Sequence, residues 1–287
     1  MIMPLFSGKI LSASGYYVVR TLQSILRLLS YHTVSNLGAF TGAAFEKLGI
    51  RKRTALDNIF QSDIKSDIVN EIISQSYRHF GRTFFELLIL DRIRLKEGRD
   101  YELKLPDHFE SQIRNGAIFV SAHTGNWELM GKILSEKGIP LAVVVKRQYN
   151  ERVDQLILEQ RQAAGMKVVY DDETIKLLRL VENKFCIALL SDQDFGDNTI
   201  PVNFLGRPCF APEGPVFLAK RFDIPIFMCF AIRQGCYFHR FEIRPFEADL
   251  SMSNKELVQA YTYEIEAAVR IHPEQWFWHH RRWKVHA

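Results

Sequence analysis

Apolar residues recur at helical spacing through the first third of the chain, and no strand-like alternation interrupts them. From residue 63 to 95, isoleucine, tyrosine and phenylalanine side chains fall three or four positions apart, as on one face of an amphipathic helix. The first 45 residues are also apolar, with interruptions at Arg20 and Arg27. This pattern predicts that residues 1–97 form a helical N-terminal arm.

The pattern changes after residue 116, where short apolar runs alternate with helical stretches. These runs occupy residues 117–120, 141–145, 167–170, 185–190 and 226–231. Short apolar segments separated by helices are typical of buried strands in a sheet that is covered on both faces. We therefore predict an α/β fold, with a mixed, mostly parallel central sheet flanked by helices.

Two further elements complete this prediction. Residues 237–244 alternate between apolar and polar and predict an antiparallel strand at an edge of the sheet, followed by an amphipathic helix from about Asn254 to Ile271. We expect residues 98–287 to form the α/β core and the arm of residues 1–97 to pack on the same domain.

The N-terminal apolar segment suits a membrane surface better than a membrane span. No uninterrupted apolar run approaches the ~18 residues that a spanning helix requires, and no small-residue cleavage pattern indicates a signal peptide. On a helix, Arg20, Gln23, Ser24 and Arg27 form a narrow polar stripe beside a wide apolar face. Such a helix either lies in a membrane interface or docks on the protein's own core, and the sequence leaves both open.

The charge distribution fits either a membrane surface or ordinary solvated helix faces. The net charge is only +4, but basic residues bunch at 51–53, 78–82 and 279–284, which suits anionic head groups or phosphates. These clusters are short and belong to no nucleic-acid-binding module, so we expect no nucleic-acid partner.

The four cysteines lie in or beside apolar runs, without a C-x-x-C pair or zinc-type spacing. They are Cys186, Cys209, Cys229 and Cys236. We expect reduced core residues in a cytosolic compartment, and no structural metal.

The segment with the clearest chemistry runs from a strand through a polar turn into a helix, and carries His123 five residues before Glu128. Because the turn at 124–126 breaks the helix, Glu128 can fold back toward the His123 ring. A carboxylate bonded to one ring nitrogen fixes the tautomer and supports the imidazolium formed when the other nitrogen takes a proton. The pair predicts general-base catalysis, with N–H groups at the helix start as an oxyanion cradle. The alternative is a histidine with a purely structural role in the turn.

Residues 123–128, His-Thr-Gly-Asn-Trp-Glu, resemble the H-x4-D/E motif of glycerolipid and lipid A acyltransferases. The Asn-Trp-Glu form resembles the late (lauroyl or myristoyl) lipid A branch and the phosphatidylinositol mannoside acyltransferases. Further segments match that branch in the expected order. They lie at 159–161, 191–194, 202–208, 212–215 and 273–284, the last similar to a closing PEQ…W.HRR signature. The resemblance covers roughly residues 35 to 284.

The resemblance implies an O-acyltransferase in which His123 is the base and Glu128 its acidic partner. It implicates Arg161 and Asp192 in substrate binding. Arg161 would meet a phosphate or the developing oxyanion with its planar fork of donors, and Asp192 would orient Arg161 or a substrate hydroxyl.

The motif residues Asn126 and Trp127 are further expected substrate-binding residues. We also expect aromatic side chains to line an acyl groove, with Trp127, Phe204, Phe210 and Trp276 as candidates. The resemblance implies no metal or cofactor.

The implied donor is an acyl-carrier protein or coenzyme A thioester, and the implied acceptor a membrane lipid at the cytoplasmic face of the inner membrane. A lipid A precursor ranks first, but the absence of an uninterrupted N-terminal anchor, and Lys146-Arg147-Gln148 in place of an Arg-Pro pair, leave phosphatidylinositol mannosides and aminolipids open. Two other functions also remain. One is a metal-dependent glycosyltransferase using Asp192 and Asp194 as a D-x-D motif, and the other is a non-catalytic lipid-binding protein.

Overall fold

The computed structural model describes residues 9–64, 67–194 and 198–283. Residues 1–8 lie outside the described residues, and the expectation that the chain has no signal peptide concerns this part of the chain. Lys284 of the basic cluster at 279–284 also lies outside the described residues. The helices are α1 (Lys9–Leu26), α2 (Tyr31–Lys47), α3 (Lys52–Gln61), α4 (Val69–Leu87), α5 (Phe109–Gln112), α6 (Trp127–Glu136), α7 (Glu151–Ala163), α8 (Thr174–Glu182), α9 (Gly214–Phe222) and α10 (Asn254–Ile271). Two 3₁₀ turns cover Leu90–Arg92 and Pro273–Gln275.

The strands build one large sheet and one hairpin. They are β1 (Tyr101–Lys104), β2 (Ala117–Ser121), β3 (Leu141–Val145), β4 (Lys167–Tyr170), β5 (Cys186–Leu190), β6 (Thr199–Phe204), β7 (Arg207–Pro212), β8 (Ile226–Gln234) and β9 (Phe238–Pro245). Seven of them pair in the order β1-β9-β8-β2-β5-β3-β4, and β6 pairs with β7. All neighbours in the large sheet are parallel except β8 and β9. The mixed, mostly parallel α/β fold is therefore confirmed.

The predicted edge strand needs a correction. β9 pairs antiparallel with β8 as expected, but β1 lies outside it and forms the edge of the sheet. β1 has only four residues, Tyr-Glu-Leu-Lys, too short to give a clear pattern. The β6–β7 hairpin also escaped prediction, because Pro201, Pro208 and Pro212 interrupt its strands.

The register of the sheet places two loops side by side. β2 is buried along its whole length and pairs with β5 so that Ser121 lies opposite Leu190. Parallel strands end at the same edge of a sheet, so the residues that follow β2 and β5 meet there. His123 and Asp192 each lie two residues beyond these strand ends.

The helices of the N-terminal arm pack closely on one another. A Cβ atom added at Gly42 of α2 would lie 2.0 Å from the carbonyl oxygen of Tyr77 on α4, and one at Gly81 would lie 2.1 Å from that of Gly38. Only glycine permits this backbone approach. The tight α2–α4 pair forms a rigid support behind the residues that follow β2, because Thr83 of α4 donates to Gly125 O at 2.9 Å.

The first helix docks on the protein's own core through one face and leaves apolar side chains exposed on another. Val19 and Leu26 are buried in the core, and Gln23 donates to the carbonyl of Leu88 at 2.9 Å, so part of the polar stripe faces the protein. Val18 and Ile25 are 60% and 52% exposed. Across the described ranges, no helix is long and apolar enough to cross a membrane.

The cysteines are free thiols, and three of the four lie in the core as expected. Cys236 does not, since it lies in the turn between β8 and β9 and is exposed. The expectation of four core cysteines is wrong at that position, because the turn projects the residue away from the strands' apolar run.

Candidate active site

His123 and Asp192 form the centre of the candidate site. His123 Nδ1 lies 2.8 Å from Asp192 Oδ1, and the His123 backbone N–H donates to Asp192 Oδ2 at 3.1 Å. The His123 side chain is 18% exposed while that of Asp192 is fully buried, so the ring reaches the pocket and the carboxylate supports it from behind. With Nδ1 held by a carboxylate, Nε2 is the ring nitrogen left to exchange a proton.

The Asp192 carboxylate is stabilised in its charged form. Burial alone would raise its pKa, but the charge of the His123 ring, its hydrogen bonds and the Trp276 indole hold the pKa of Asp192 below its ordinary value. The indole N–H of Trp276 donates to Asp192 Oδ2 at 2.8 Å. A charged carboxylate at Nδ1 is the arrangement that orients a histidine base.

Glu128 has a different partner from the one predicted. Its carboxylate accepts two hydrogen bonds from Arg161, from Nε at 3.0 Å and from Nη2 at 2.6 Å, instead of one from the His123 ring. The reason is geometric: Asp192, brought in by β5, already occupies Nδ1 of His123, and α7 places Arg161 beside the first turn of α6. Asp192 likewise orients His123 and not Arg161.

The Glu128–Arg161 pair is nearly removed from water, with 6% and 12% of the two side chains exposed. Burial would lower the pKa of Arg161, but the Glu128 carboxylate outweighs burial and raises the pKa above its ordinary value. Arg161 therefore remains a cation, with Nε and Nη2 committed to Glu128.

The two remaining motif residues have separate environments. The Trp127 ring packs edge-on against His123, with centroids 4.9 Å apart, and its indole donates to Glu128 at 3.1 Å. Asn126 is fully buried, its Oδ1 accepting from the backbone N–H of Leu129 at 2.9 Å and its Nδ2 donating to Glu86. Both ends of the Asn126 amide are thus used inside the protein, which differs from the substrate contact that we expected.

The C-terminal segment closes the site from one side. Residues 124 and 276 form an antiparallel bridge, and the backbone N–H of Phe277 donates to the carbonyl of His123 at 3.1 Å. The segment at 273–278 therefore lies beside His123 although it is far from His123 in sequence. Trp276 and Phe204 pack against each other in the core, with centroids 5.5 Å apart, which differs from the acyl-groove role expected of them.

Gly125 allows the turn that carries His123, residues 122–126, to pack on β8. It has a φ of 56°, and a Cβ atom there would lie 2.2 Å from the carbonyl oxygen of Ala231. We expect Gly125→Ala to displace His123 and to lower the activity of this site by about 10²-fold, the cost of a misplacement near 1 Å. Gly138→Ala is the matched control, because Gly138 also has a positive φ, 84°, but open space around its Cβ position.

Both alanine variants share a left-handed strain of about 1–2 kcal/mol, so urea unfolding should register some loss in each. Only Gly125→Ala should lose activity in the protein that remains folded. Equal specific activities in the two variants would contradict the importance of this close approach.

The candidate residues line a pocket of about 180 Å³. The side chains that line it include His123, Trp127, Glu128, Arg161 and Lys146. A second, narrow cavity of about 60 Å³ lies between α6 and the sheet and shares six lining residues with the first, Trp127, Glu128, Val144, Val145, Arg161 and Leu190. The rest of its lining is mainly apolar: Phe119, Met130, Gly131, Leu134, Leu141, Val143, Met166, Ala188 and Cys229, with Ser121. The charged and polar side chains of the first pocket thus lie next to a mainly apolar cavity.

The geometry does not favour the D-x-D alternative. Both oxygens of Asp192 are engaged, one by the His123 ring and the other by the His123 backbone and the Trp276 indole. Within the described ranges, no group of three or more His, Cys, Asp or Glu side chains is arranged to hold a metal ion.

The chain is similar to known proteins over most of its length. The family model described as bacterial lipid A biosynthesis acyltransferase matches residues 4–285. The phosphatidylinositol mannoside acyltransferase of Mycolicibacterium smegmatis is 25% identical over 235 residues, covering 77% of this chain and 74% of that protein. The phosphatidylinositol mannoside acyltransferase of Mycobacterium tuberculosis is 22% identical over 220 residues, covering 73% and 68%.

Proposed function

Because this chain belongs to the bacterial lipid A biosynthesis acyltransferase family, we propose that it moves a fatty acyl group from a thioester to a hydroxyl of a membrane glycolipid, with His123 as the general base. The observation that carries this proposal is the contact of His123 Nδ1 with the buried Asp192 carboxylate, at 2.8 Å, in a pocket that shares lining residues with an apolar cavity. The pair supplies a base, and the cavity supplies a place for hydrocarbon.

The proposed reaction begins when Nε2 of His123 takes the proton of the acceptor hydroxyl. The resulting alkoxide attacks the thioester carbonyl, and the tetrahedral intermediate collapses by breaking its C–S bond. The imidazolium then returns its proton to the departing thiolate, so the histidine ends neutral. Asp192 stabilises the imidazolium throughout, as a carboxylate does behind a catalytic histidine.

Arg161 is the proposed electrostatic partner of the anionic intermediate. Glu128 fixes its guanidinium through two parallel hydrogen bonds, which leaves Nη1 as the donor group for a substrate oxygen. Glu128 therefore acts through Arg161 in this proposal. Trp127, edge-on to His123, limits the directions from which a hydroxyl can reach the ring.

The apolar cavity is the proposed site of the acyl chain. It is narrow, so a long chain requires neighbouring side chains to move aside. Met166 is suited to this, because its thioether is flexible, and it lies where a Cβ on Gly131 would be only 2.6 Å from its Sδ. Met166 and Gly131 are therefore the proposed end of the chain-binding space.

Shortening Met166 should change the preferred chain length. We expect Met166→Ala to shift the optimum of kcat/KM toward donors about two carbons longer, because the removed side chain leaves room for roughly that much hydrocarbon at about 0.8 kcal/mol per buried methylene. A series of saturated acyl donors measures the shift.

Met228→Ala is the matched control, since Met228 is also buried but belongs to the core cluster that does not contain Met166. Both variants create a cavity and lose stability. An unchanged chain-length optimum in Met166→Ala, or the same shift in both variants, would contradict this assignment.

The acceptor proposed is a lipid that carries a sugar and an anionic head group. The family is described by lipid A, while the curated relatives are named for phosphatidylinositol mannoside, and both names indicate glycosylated lipids. Lys146, exposed at the pocket, provides positive charge for such a head group. The thioester donor is proposed to be an acyl-carrier protein or coenzyme A derivative.

The outward surface of α1 and α2 is the proposed contact with the membrane. Phe40 of α2 and Leu28 of the turn between the two helices are 72% and 84% exposed, and Val18 and Ile25 of α1 are exposed as well. Basic residues at 51–53 begin four positions after the end of α2. Exposed apolar side chains beside basic ones are typical of interfacial binding to anionic lipid.

The test is acyl transfer in vesicles with radiolabelled acyl-carrier protein and acyl-coenzyme A as donors. Acceptors offered singly are a lipid A precursor, phosphatidylinositol mannosides, an aminolipid and a lysophospholipid. Transfer to one of the two glycolipids supports the proposal and identifies the acceptor. Transfer only to the aminolipid or the lysophospholipid would overturn the glycolipid acceptor, and transfer to none would overturn the proposed function.

A further inference from the structure

A buried ion pair lies behind the catalytic turn, which is the segment of residues 122–126 that carries His123. Neither residue of the pair lines the pocket. Glu86 of α4 and Arg233 of β8 are both fully buried and joined by two hydrogen bonds, Nη1 to Oε1 at 3.0 Å and Nη2 to Oε2 at 2.7 Å. A buried pair of this kind contributes little net stability, because desolvation offsets most of the attraction. Its contacts therefore suggest a role other than stability.

The pair holds Asn126 at the start of α6. Glu86 Oε2 accepts from Asn126 Nδ2, while Asn126 Oδ1 caps α6 through the N–H of Leu129. One turn earlier on α4, Thr83 donates to the carbonyl of Gly125 at 2.9 Å. Two successive residues of the turn are thus fixed by α4, within three positions of His123.

The Arg233 end is tied to the C-terminal segment. The Gln275 side chain bonds both backbone groups of Arg233, accepting from its N–H at 2.8 Å and donating to its carbonyl at 2.9 Å. The Gln275 carbonyl in turn accepts from the N–H of Gly125 at 3.3 Å. The ion pair therefore lies where α4, β8, the catalytic turn and the C-terminal segment converge.

The surroundings keep the pair charged. Burial would raise the pKa of Glu86, but Arg233 outweighs burial and holds that pKa below its ordinary value. Burial and the Arg233 charge lower the pKa of neighbouring His239 to about 3, so that ring stays neutral, with Tyr31 Oη 2.7 Å from its Nε2. The Glu86 carboxylate is thus a permanent acceptor for the Asn126 amide.

We infer that Glu86 and Arg233 are positioning residues for the acyl transfer proposed above: they orient Asn126 and so fix the turn that carries His123. This inference rests on the proposed function for its kinetic consequences. The geometry it predicts at His123 is independent of that function.

The test exchanges the two members of the Glu86–Asn126 hydrogen bond. Asn126→Asp retains a capping oxygen for α6 but replaces the donor amide with a carboxylate facing Glu86. We expect kcat to fall about 10²-fold with KM unchanged, the effect of a misplaced base. The double variant Asn126→Asp with Glu86→Gln restores one donor and one acceptor between these two side chains and transfers the carboxylate from position 86 to position 126. The cluster around Arg233 then keeps one negative charge, so kcat should recover to within about tenfold of wild type.

Asn150→Asp is the matched control, because Asn150 caps α7 with its side-chain oxygen in the same way. It should leave kcat unchanged. A purely structural role predicts losses of folded protein that the double variant does not restore. Wild-type kcat in Asn126→Asp, or no recovery in the double variant, would overturn the inference.

A second readout needs no turnover. In protein labelled with ¹⁵N-histidine, the His123 Nδ1 resonance reports the contact with Asp192. It should shift in Asn126→Asp, return in the double variant and remain in place in Asn150→Asp. If wild type transfers no acyl group but these shifts follow the expected order, the proposed function fails while the positioning role stands. An unmoved resonance in Asn126→Asp contradicts the positioning role.

Discussion

Replacing His123 with asparagine should lower acyl transfer by about 10²–10⁴-fold while leaving the fold intact, since a general base contributes that much. The side chain is partly exposed and lies at a pocket wall, so its loss removes the proton acceptor without opening the core. His108→Asn is the matched control, because His108 is exposed and has a φ of 57° that asparagine tolerates. Rates from acyl-coenzyme A and thermal unfolding of both variants provide the measurement.

Asp192→Asn tests the partner of His123 in the same assay. The amide cannot stabilise an imidazolium as a carboxylate does, so kcat should fall by about 10²-fold or more. His123→Asn activity within tenfold of wild type would show that His123 is not the base. Full activity in Asp192→Asn would show that His123 does not need the Asp192 carboxylate as its partner.

The second large effect is on stability, at Arg161. Arg161→Gln removes the cation and leaves the Glu128 carboxylate buried without its partner, which should cost about 3–5 kcal/mol of unfolding free energy. Adding Glu128→Gln removes the stranded charge, and the double variant should regain most of that loss. Urea denaturation measures all three proteins. Neither variant should recover acyl transfer, because the guanidinium is absent from both.

Arg147→Gln is the control for this pair. Arg147 also contacts a carboxylate, Asp172, but 52% and 62% of these side chains are exposed. Water replaces the lost contact there, so the unfolding free energy should barely change. Equal destabilisation by the two Arg→Gln changes, or no regain in the Glu128 double variant, would contradict a buried, mutually dependent Glu128–Arg161 pair.

The sequence predicted the sheet and its helices because buried strands and amphipathic helices leave periodic patterns. It missed β1 and the β6–β7 hairpin, whose short or proline-containing strands leave none. The same limit explains why the hydrogen-bond partners within the candidate site were predicted incorrectly. The spacing of His123 and Glu128 indicated chemistry at the turn after β2, but the identity of each hydrogen-bond partner depends on strand order. The pairing of β2 with β5, which brings Asp192 to His123, cannot be read from local pattern.

Glu86 and Arg233 illustrate what the sequence hides. A glutamate inside an amphipathic helix and an arginine near the end of a strand look like ordinary surface charges until α4 is known to pack beside β8. The signal that was available was weak: Glu86 follows Phe84 and Phe85 in a strongly apolar stretch of the helix. A charge in that setting needs a partner, although the sequence does not indicate which.

The bridge between the turn that carries His123 and residues 276 and 277 makes the candidate site depend on a part of the chain that is synthesised after the sheet. A nascent chain that has been made as far as α10 already contains His123 and Asp192, but it lacks the Trp276 indole that bonds Asp192 and the Phe277 N–H that bonds the His123 carbonyl. These two contacts form only after residues 276 and 277 have been added and have left the ribosome. The candidate site is therefore completed late, after the sheet that carries it has been translated.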